Sequence, residues 1–331
     1  MLPDIAPPIA SEISPLKLDK DQIPALAGYS TARGHLIQGS IEDVLESNAF
    51  DDVKGHVQLI FTSPPFPLNR KKKYGNLKGD EYTTWLADLA PKLVELLSPD
   101  GSIVVEMGNS WEPGKPVMST LALRSLLSFL DSGHLHLCQQ FVHYNPAKLP
   151  SPAQWVTIDR VRVKDAYTHL WWMSPVENPK ADNKKVLTEY SKAMKSLLKS
   201  KKYNSGKRPS EHSISETSFL SDNGGAIPPN VLQYANTKST GGYHTHCEEY
   251  ELDLHPARMP SEVVEFFIQL LTDPGDIVID PFAGSNTTGA TAESLGRQWR
   301  AVEQNPVYIA GSLGRFSTVE SITYHATGED K

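Results

Sequence analysis

The chain has 331 residues, with 32 Lys and Arg against 39 Asp and Glu and a formal charge of −7. That length suggests two domains, or one large domain carrying an insertion, and 39% apolar with 8% aromatic residues suffices for a packed core. Two cysteines outside any CxxC exclude a disulfide-stapled fold, no run of 18 apolar residues offers a membrane span, and the opening MLPDIAPPIA lacks the regions of a signal peptide, so a soluble cytoplasmic protein is expected.

Residues 1–28 are Pro-rich and read as an extended arm. From about 33 an α/β rhythm begins. A short strand is predicted over 35–39, a helical turn or two over 41–47, and a buried strand over 56–62, stopped by Ser63-Pro64-Pro65. Trp85, Leu86, Leu89, Leu93, Leu96 and Leu97 recur at helical spacing over 82–97, and Ser98-Pro99-Asp100-Gly101 is turn chemistry. A buried strand at 103–105, a helix over 117–130 and strands over 135–144, 155–163 and 169–173 follow. Residues 176–250 are rich in Lys, Ser, Asn and Gly with one helix at 186–198, as an inserted polar module would be. The rhythm resumes with a helix at 260–271, a strand at 276–280, a helix at 286–295 and a strand at 299–303. Strands alternating with helices predict an α/β fold with a doubly wound, mostly parallel sheet.

The net negative charge argues against a nucleic-acid partner for the chain as a whole, but its distribution reverses that. Between 180 and 208 stand ten Lys or Arg against Asp182 and Glu189, and Arg70-Lys71-Lys72-Lys73 forms a second knot. Such runs are either solvated faces or a local electrostatic footprint.

Two motifs carry chemistry. In the first, Asp280-Pro281-Phe282-Ala283-Gly284-Ser285-Asn286-Thr287-Thr288-Gly289 follows a predicted strand and opens a predicted helix. Small residues there let a ligand approach the backbone, and helix-start amides can donate to it. Glu303, at the end of the next strand, is placed to accept from ribose hydroxyls; the spacing suits a nucleoside cofactor, while the missing GxGxxG disfavours a nicotinamide one. In the second, Thr62-Ser63-Pro64-Pro65-Phe66 is a stiff turn without amide donors at its prolines. Its acceptors, the Ser63 hydroxyl and the Ser63 and Pro64 carbonyls, beside the Phe66 ring suit the amino group of an extruded base. Glu106, ending the adjacent strand, could take a proton through Ser63, or simply bond backbone or Asn109. Trp111 and Trp155 read as core or DNA-facing. His244-Thr245-His246-Cys247 lacks a matching second pair for a metal and reads as structural or DNA-contacting.

Together the motifs resemble the amino-directed DNA methyltransferases, in which a DPFxGSGTT loop binds S-adenosyl-L-methionine and an (S/D/N)PP(F/Y/W) turn is catalytic. The catalytic motif comes first and residues 67–279 separate the two, an order that resembles the family's β class; Ser at position 63 resembles its N4-cytosine branch. Arg70-Lys71-Lys72 and Tyr74-Gly75-Asn76 add to the likeness, and His255-Pro256-Ala257-Arg258-Met259-Pro260 resembles the segment that encloses methionine.

The resemblance covers 29–175 and 253–312. It implies a catalytic part at 29–175, a target-recognition region at 176–252 and a cofactor-binding part at 253–331. It implies catalytic roles for Ser63, Pro64, Pro65 and Phe66, to which the strand order adds Glu106 as a candidate. Cofactor contacts fall on Asp280, Pro281, Phe282, Gly284, Ser285, Thr287, Thr288 and Glu303. The expected activity is methylation of cytosine N4 in double-stranded DNA, beside a restriction endonuclease without a stable complex, by a monomer or weak dimer. Alternatives are adenine N6 methylation on the same fold and a non-catalytic DNA-binding protein. Two departures stand out. Asn286 replaces a usual Gly, and Asn tolerates left-handed φ. Ser40 replaces a common Asp near the cofactor adenine, where Glu42 or Asp43 could substitute.

Overall fold

The computed structural model describes residues 11–13, 26–66, 77, 79–202, 206–207, 213–214, 220–236 and 241–326. The basic knot at 70–73 and the adjoining Tyr74-Gly75-Asn76 lie outside them. In chain order the elements are β1 (Ser11–Ile13), β2 (Leu26–Ser30), β3 (Gly34–Gln38), α1 (Ile41–Glu46), β4 (Val57–Thr62), α2 (Gly79–Val94), β5 (Leu97–Gly108), α3 (Leu121–Gly133), β6 (His136–Tyr144) and β7 (Tyr167–Ser174). There follow α4 (Lys192–Ser200), β8 (Gly206–Lys207), β9 (Ser213–Ile214), β10 (Val231–Gln233), α5 (Gly242–Glu249), α6 (Ser261–Leu271), β11 (Ile277–Asp280), α7 (Thr287–Ser294), β12 (Gln298–Glu303), α8 (Pro306–Ser312) and β13 (Ile322–Ala326).

Eleven strands form one sheet in the order β1-β13-β2-β3-β12-β11-β4-β5-β7-β6-β10. Its centre, β3-β12-β11-β4-β5, is parallel throughout. Antiparallel strands extend it on both sides: β2, β13 and β1 beyond β3, and β7 with β6 beyond β5. The pleat sends alternate residues to opposite faces, and each face has its own core. Leu59, Phe61, Val104, Val278, Trp299 and Ala301 pack with α6 and α7. Ile60, Ile103, Val105, Ile279 and Val302 pack with α2 and α3. Burial on both faces explains why β4 reads as a continuous apolar run. The α/β fold with a parallel core is as the sequence predicts.

Several elements differ from expectation. Ser98-Pro99-Asp100-Gly101 does not end in a loop; β5 runs from Leu97 and bulges, its register on β4 jumping from Val57↔Leu97 to Leu59↔Ser102. The strand expected at 155–163 is a single π-turn, Gln154–Ile158, followed by irregular chain. Among the described residues no strand pairs with its β-branched residues, and the amides of Val161 and Arg162 fold back on the Trp155 carbonyl. α3 starts only at Leu121, because Met118 bridges to Trp111 and the Ser119 amide bonds the Ser110 carbonyl. The helix expected at 186–198 starts at Lys192, capped by Ser191, because Thr188 pairs with Ala226. The arm contains β1, which pairs with β13, and β2 begins before the predicted end of the arm. Among the described residues no helix is long and apolar enough to cross a membrane.

Candidate active site

The parallel strands bring their carboxyl ends to one edge of the sheet, where ligands bind in open α/β folds. A cavity of about 720 Å3 opens there, within the range of small-molecule sites. Its lining includes every residue expected to be catalytic or to touch the cofactor: Ser63, Pro64, Pro65, Phe66, Glu106, Asp280, Pro281, Phe282, Gly284, Ser285, Thr287, Thr288 and Glu303.

The turn after β4 projects Ser63 beside the end of β5, since Thr62 pairs with Val105 in the parallel ladder. Ser63 Oγ donates to Glu106 Oε2 at 3.0 Å, and Thr168 Oγ1 at the start of β7 donates to Oε1 at 2.8 Å. The expected alternative, a Glu106 bond to Asn109, is not made: Asn109 donates to Asp165 and bonds His169. With its proton committed to Glu106, the Ser63 hydroxyl keeps its lone pairs for an incoming donor. Phe66 rests on Gly108, where a Cβ would lie 2.5 Å from the ring.

Across the cavity, the loop after β11 is knotted from within. Asp280 accepts from Thr62 Oγ1, Thr288 Oγ1 and the Phe282 amide at 2.9, 2.6 and 3.0 Å. Burial nevertheless lifts its carboxyl from 3.8 to about 6. Gly284 sits at φ +53°, and its amide donates to Glu303 Oε2 at 2.7 Å; the Asn305 amide donates to Oε1 at 2.8 Å. Burial raises the Glu303 carboxyl above its ordinary value, against the pull of these amides. Asn286 adopts the left-handed conformation, φ 51°, and is fully buried. Its side chain accepts from the Gly289 amide and donates to Tyr29 Oη at 2.9 Å, so the residue that departs from the usual Gly is held by its own bonds. Ser40 caps α1 and holds Asp43. Glu42 instead lines the cavity, where Trp85 Nε1 donates to it at 2.5 Å and the Trp85 ring stands edge-on to Phe282.

Sequence reasoning missed four residues here. Arg315 donates to the Ser285 carbonyl and hydroxyl at 2.6 and 2.8 Å, with burial lowering its guanidinium to about 10. Thr168 and His143 stand against Glu106, and Gly108 seats Phe66. Only Gly108, two residues past Glu106, carried a local signal. In the basic segment, Lys180 and Lys185 are tied to Asp273, and Lys180 also to Asp276. His246 and Cys247 are buried in α5, the His246 ring bonding the Ala310 carbonyl at 3.0 Å.

A DNA methylase family model matches residues 57–313. The type II methyltransferase M.PvuII of Proteus hauseri is 44% identical over 290 residues, covering 87% of this chain and 85% of that protein. The solved structure of a PvuII DNA methyltransferase described as cytosine-N4-specific superposes with a TM-score of 0.69 at 38% identity, covering 87% of each chain. A DNA modification methylase from Thermus thermophilus, solved in complex with S-adenosyl-L-methionine, shares the fold with a TM-score of 0.52 at 17% identity, over 86% of this chain and 93% of that one.

Proposed function

The chain belongs to the DNA methylase family, and we propose that it is the modification enzyme of a type II restriction–modification system, methylating the N4 amino group of cytosine at a specific site in double-stranded DNA. The observation that carries this is the Ser63–Glu106 hydrogen bond, facing the Gly284–Glu303 hydrogen bond across one cavity.

S-adenosyl-L-methionine, when bound, supplies a methyl group activated on a sulfonium. The residues present fit it. Gly284 lacks a side chain where a Cβ would come within 2.9 Å of the His255 ring, and the Glu303 carboxylate retains lone pairs for ribose hydroxyls. The cytosine amino nitrogen is a poor nucleophile, its lone pair delocalised into the ring. Ser63 Oγ and the Pro64 carbonyl accept its two N–H bonds and favour a pyramidal nitrogen. These fixed dipoles stabilise the positive charge that develops there, and Glu106 takes the proton through Ser63. Phe66, seated on Gly108, stacks on the extruded base. Pro65 stiffens the turn, and Asp280, Ser285, Thr287 and Thr288 hold the shape of the cofactor loop.

DNA lies over the cavity mouth. The irregular chain at 145–166 flanks it: Asn145, Lys148 and Ala166 line the cavity. Arg160, Arg162 and Lys164 are exposed, alternating with Val161 and Val163. The region 176–252 reads the target sequence, with α4 lysines on phosphates. The enzyme acts as a monomer or weak dimer in the cytoplasm and meets its endonuclease only through shared DNA sites. The test is nucleoside mass spectrometry of mixed-sequence DNA after incubation with labelled S-adenosyl-L-methionine, using fragmentation to separate N4- from C5-methylcytosine. N4-methylcytosine is expected; N6-methyladenine as the main product would overturn the base assignment, and no methylated nucleoside would overturn the activity.

A further inference from the structure

Glu106 has a third neighbour besides Ser63 and Thr168. His143 Nδ1 lies 3.6 Å from Glu106 Oε1, and the two side chains are only 6% and 9% exposed. The sheet register makes this meeting: Phe141 pairs with Leu170 and Leu170 with Glu106, so residues two along, His143 and Thr168, share the face of Glu106. His169, one residue from Thr168, points to the other face and bonds Asn109 and Gln140.

The tautomer of His143 follows from its partners. Nε2 lies 3.1 Å from the Tyr234 carbonyl. A carbonyl only accepts, so Nε2 carries hydrogen, and in the neutral ring Nδ1 is a lone pair. This Nδ1 is buried without a hydrogen-bond partner. It faces a carboxylate oxygen that likewise offers only lone pairs. A gap of 3.6 Å is too long for a hydrogen bond, and a proton placed between the two atoms would let them close it. Buried polar atoms are rarely left in this state, and the exceptions call for a reason such as a catalytic role.

We infer that the Glu106–His143 gap is the seat of the proton released by methyl transfer, which makes His143 a positioning residue for that proton. This rests on the functional reading of Ser63 and Glu106 given above. The amino lone pair forms the new N–C bond while the electrons of the breaking S–C bond go to sulfur. The N–H bond that then breaks returns its electrons to nitrogen. Its proton passes to Ser63 Oγ as the Ser63 hydroxyl proton passes to Glu106 Oε2. A half-turn of the carboxyl sets that proton between Oε2 and Nδ1, where it makes the hydrogen bond that carboxylate and neutral ring could not. The lone pair of His143 therefore gives the loaded carboxyl a hydrogen bond that the carboxylate lacks. The other groups on the pair are Ser63 from the β4 turn, Thr168 from β7 and the Tyr234 carbonyl following β10; Lys148 and Arg258 line the same cavity.

Two variants test it in single-turnover methylation of duplex DNA across pH, with cofactor and DNA affinities and the unfolding midpoint measured alongside. His143→Gln can keep a donor to the Tyr234 carbonyl but loses the Nδ1 acceptor; His143→Asn keeps an acceptor near the Nδ1 position. The expected result is a rate about tenfold or more lower for His143→Gln at neutral pH, the worth of one hydrogen bond to the loaded carboxyl. The rising limb of its pH–rate profile moves to lower pH while affinities are kept, and His143→Asn recovers the limb position. A His143→Gln enzyme with wild-type rate and limb, while wild type makes N4-methylcytosine, would overturn the role of His143 alone. Equal losses in both variants with an unmoved limb would reduce His143 to packing. A wild-type enzyme that makes no methylated nucleoside would overturn the functional reading and this inference with it.

Discussion

Asp280 is 5% exposed and accepts three hydrogen bonds, yet burial raises its carboxyl from 3.8 to about 6. Keeping it ionised in the folded protein therefore costs about 3 kcal/mol relative to the unfolded chain. Above about pH 6 the folded state bears that whole cost. Between about pH 6 and 4 the folded protein takes up a proton that the unfolded chain does not, so this group's contribution to stability improves as pH falls. Below about pH 4 both states are protonated and the cost is gone. Asp280→Asn mimics the protonated carboxyl: the amide oxygen can accept from Thr62 and the Phe282 amide, and its nitrogen can donate to Thr288 Oγ1. The variant is expected to be more stable than wild type by up to about 3 kcal/mol near pH 8, with the difference closing toward zero near pH 4. Urea unfolding in steps across this range measures it. A difference independent of pH, or an Asn variant less stable at the alkaline end, would refute the assignment of a buried, ionised Asp280.

Ser63→Ala removes the acceptor that meets the amino group and should lower single-turnover transfer by about 10²-fold or more, with cofactor affinity by calorimetry unchanged; a wild-type rate would remove Ser63 from the chemistry. Glu303→Ala should weaken cofactor binding by about 1.5–3 kcal/mol, and an unaltered affinity would exclude a direct contact. Gly108→Ala puts a Cβ 2.5 Å from the Phe66 ring, so it should raise the KM for DNA as Phe66→Ala does, stacking being worth about 1–3 kcal/mol per base. Replacing Arg160, Arg162 and Lys164 together by Ala should lower the salt slope of DNA affinity by about one unit for each phosphate that is no longer neutralised. The same measurement on Lys199, Lys201 and Lys202 tests the α4 region, and an unchanged slope there would make it a solvated face.

The features legible in the bare chain lie where residues act through local pattern. β4 and β5 are buried on both faces, so their apolar runs announce a parallel core. The two loops that follow strands carry their chemistry in consecutive residues, and the left-handed turn at Asn286 is one that Asn can make. Folding settled whatever depends on a partner distant in the chain. Residues 155–163 have the composition of a strand, but strands exist only in pairs, and among the described residues no strand pairs with them. Lys180 and Lys185 look like part of a basic footprint, and only the packing of their segment near the end of α6 shows Asp273 neutralising them. Arg315 reaches Ser285 across 30 residues of chain. His143 gives no sign in its own surroundings; it meets Glu106 because two antiparallel ladders, β5 on β7 and β7 on β6, set the register that brings both to one face. Register is a property of paired strands, so a side chain whose partner lies two strands away is legible only once the sheet has formed.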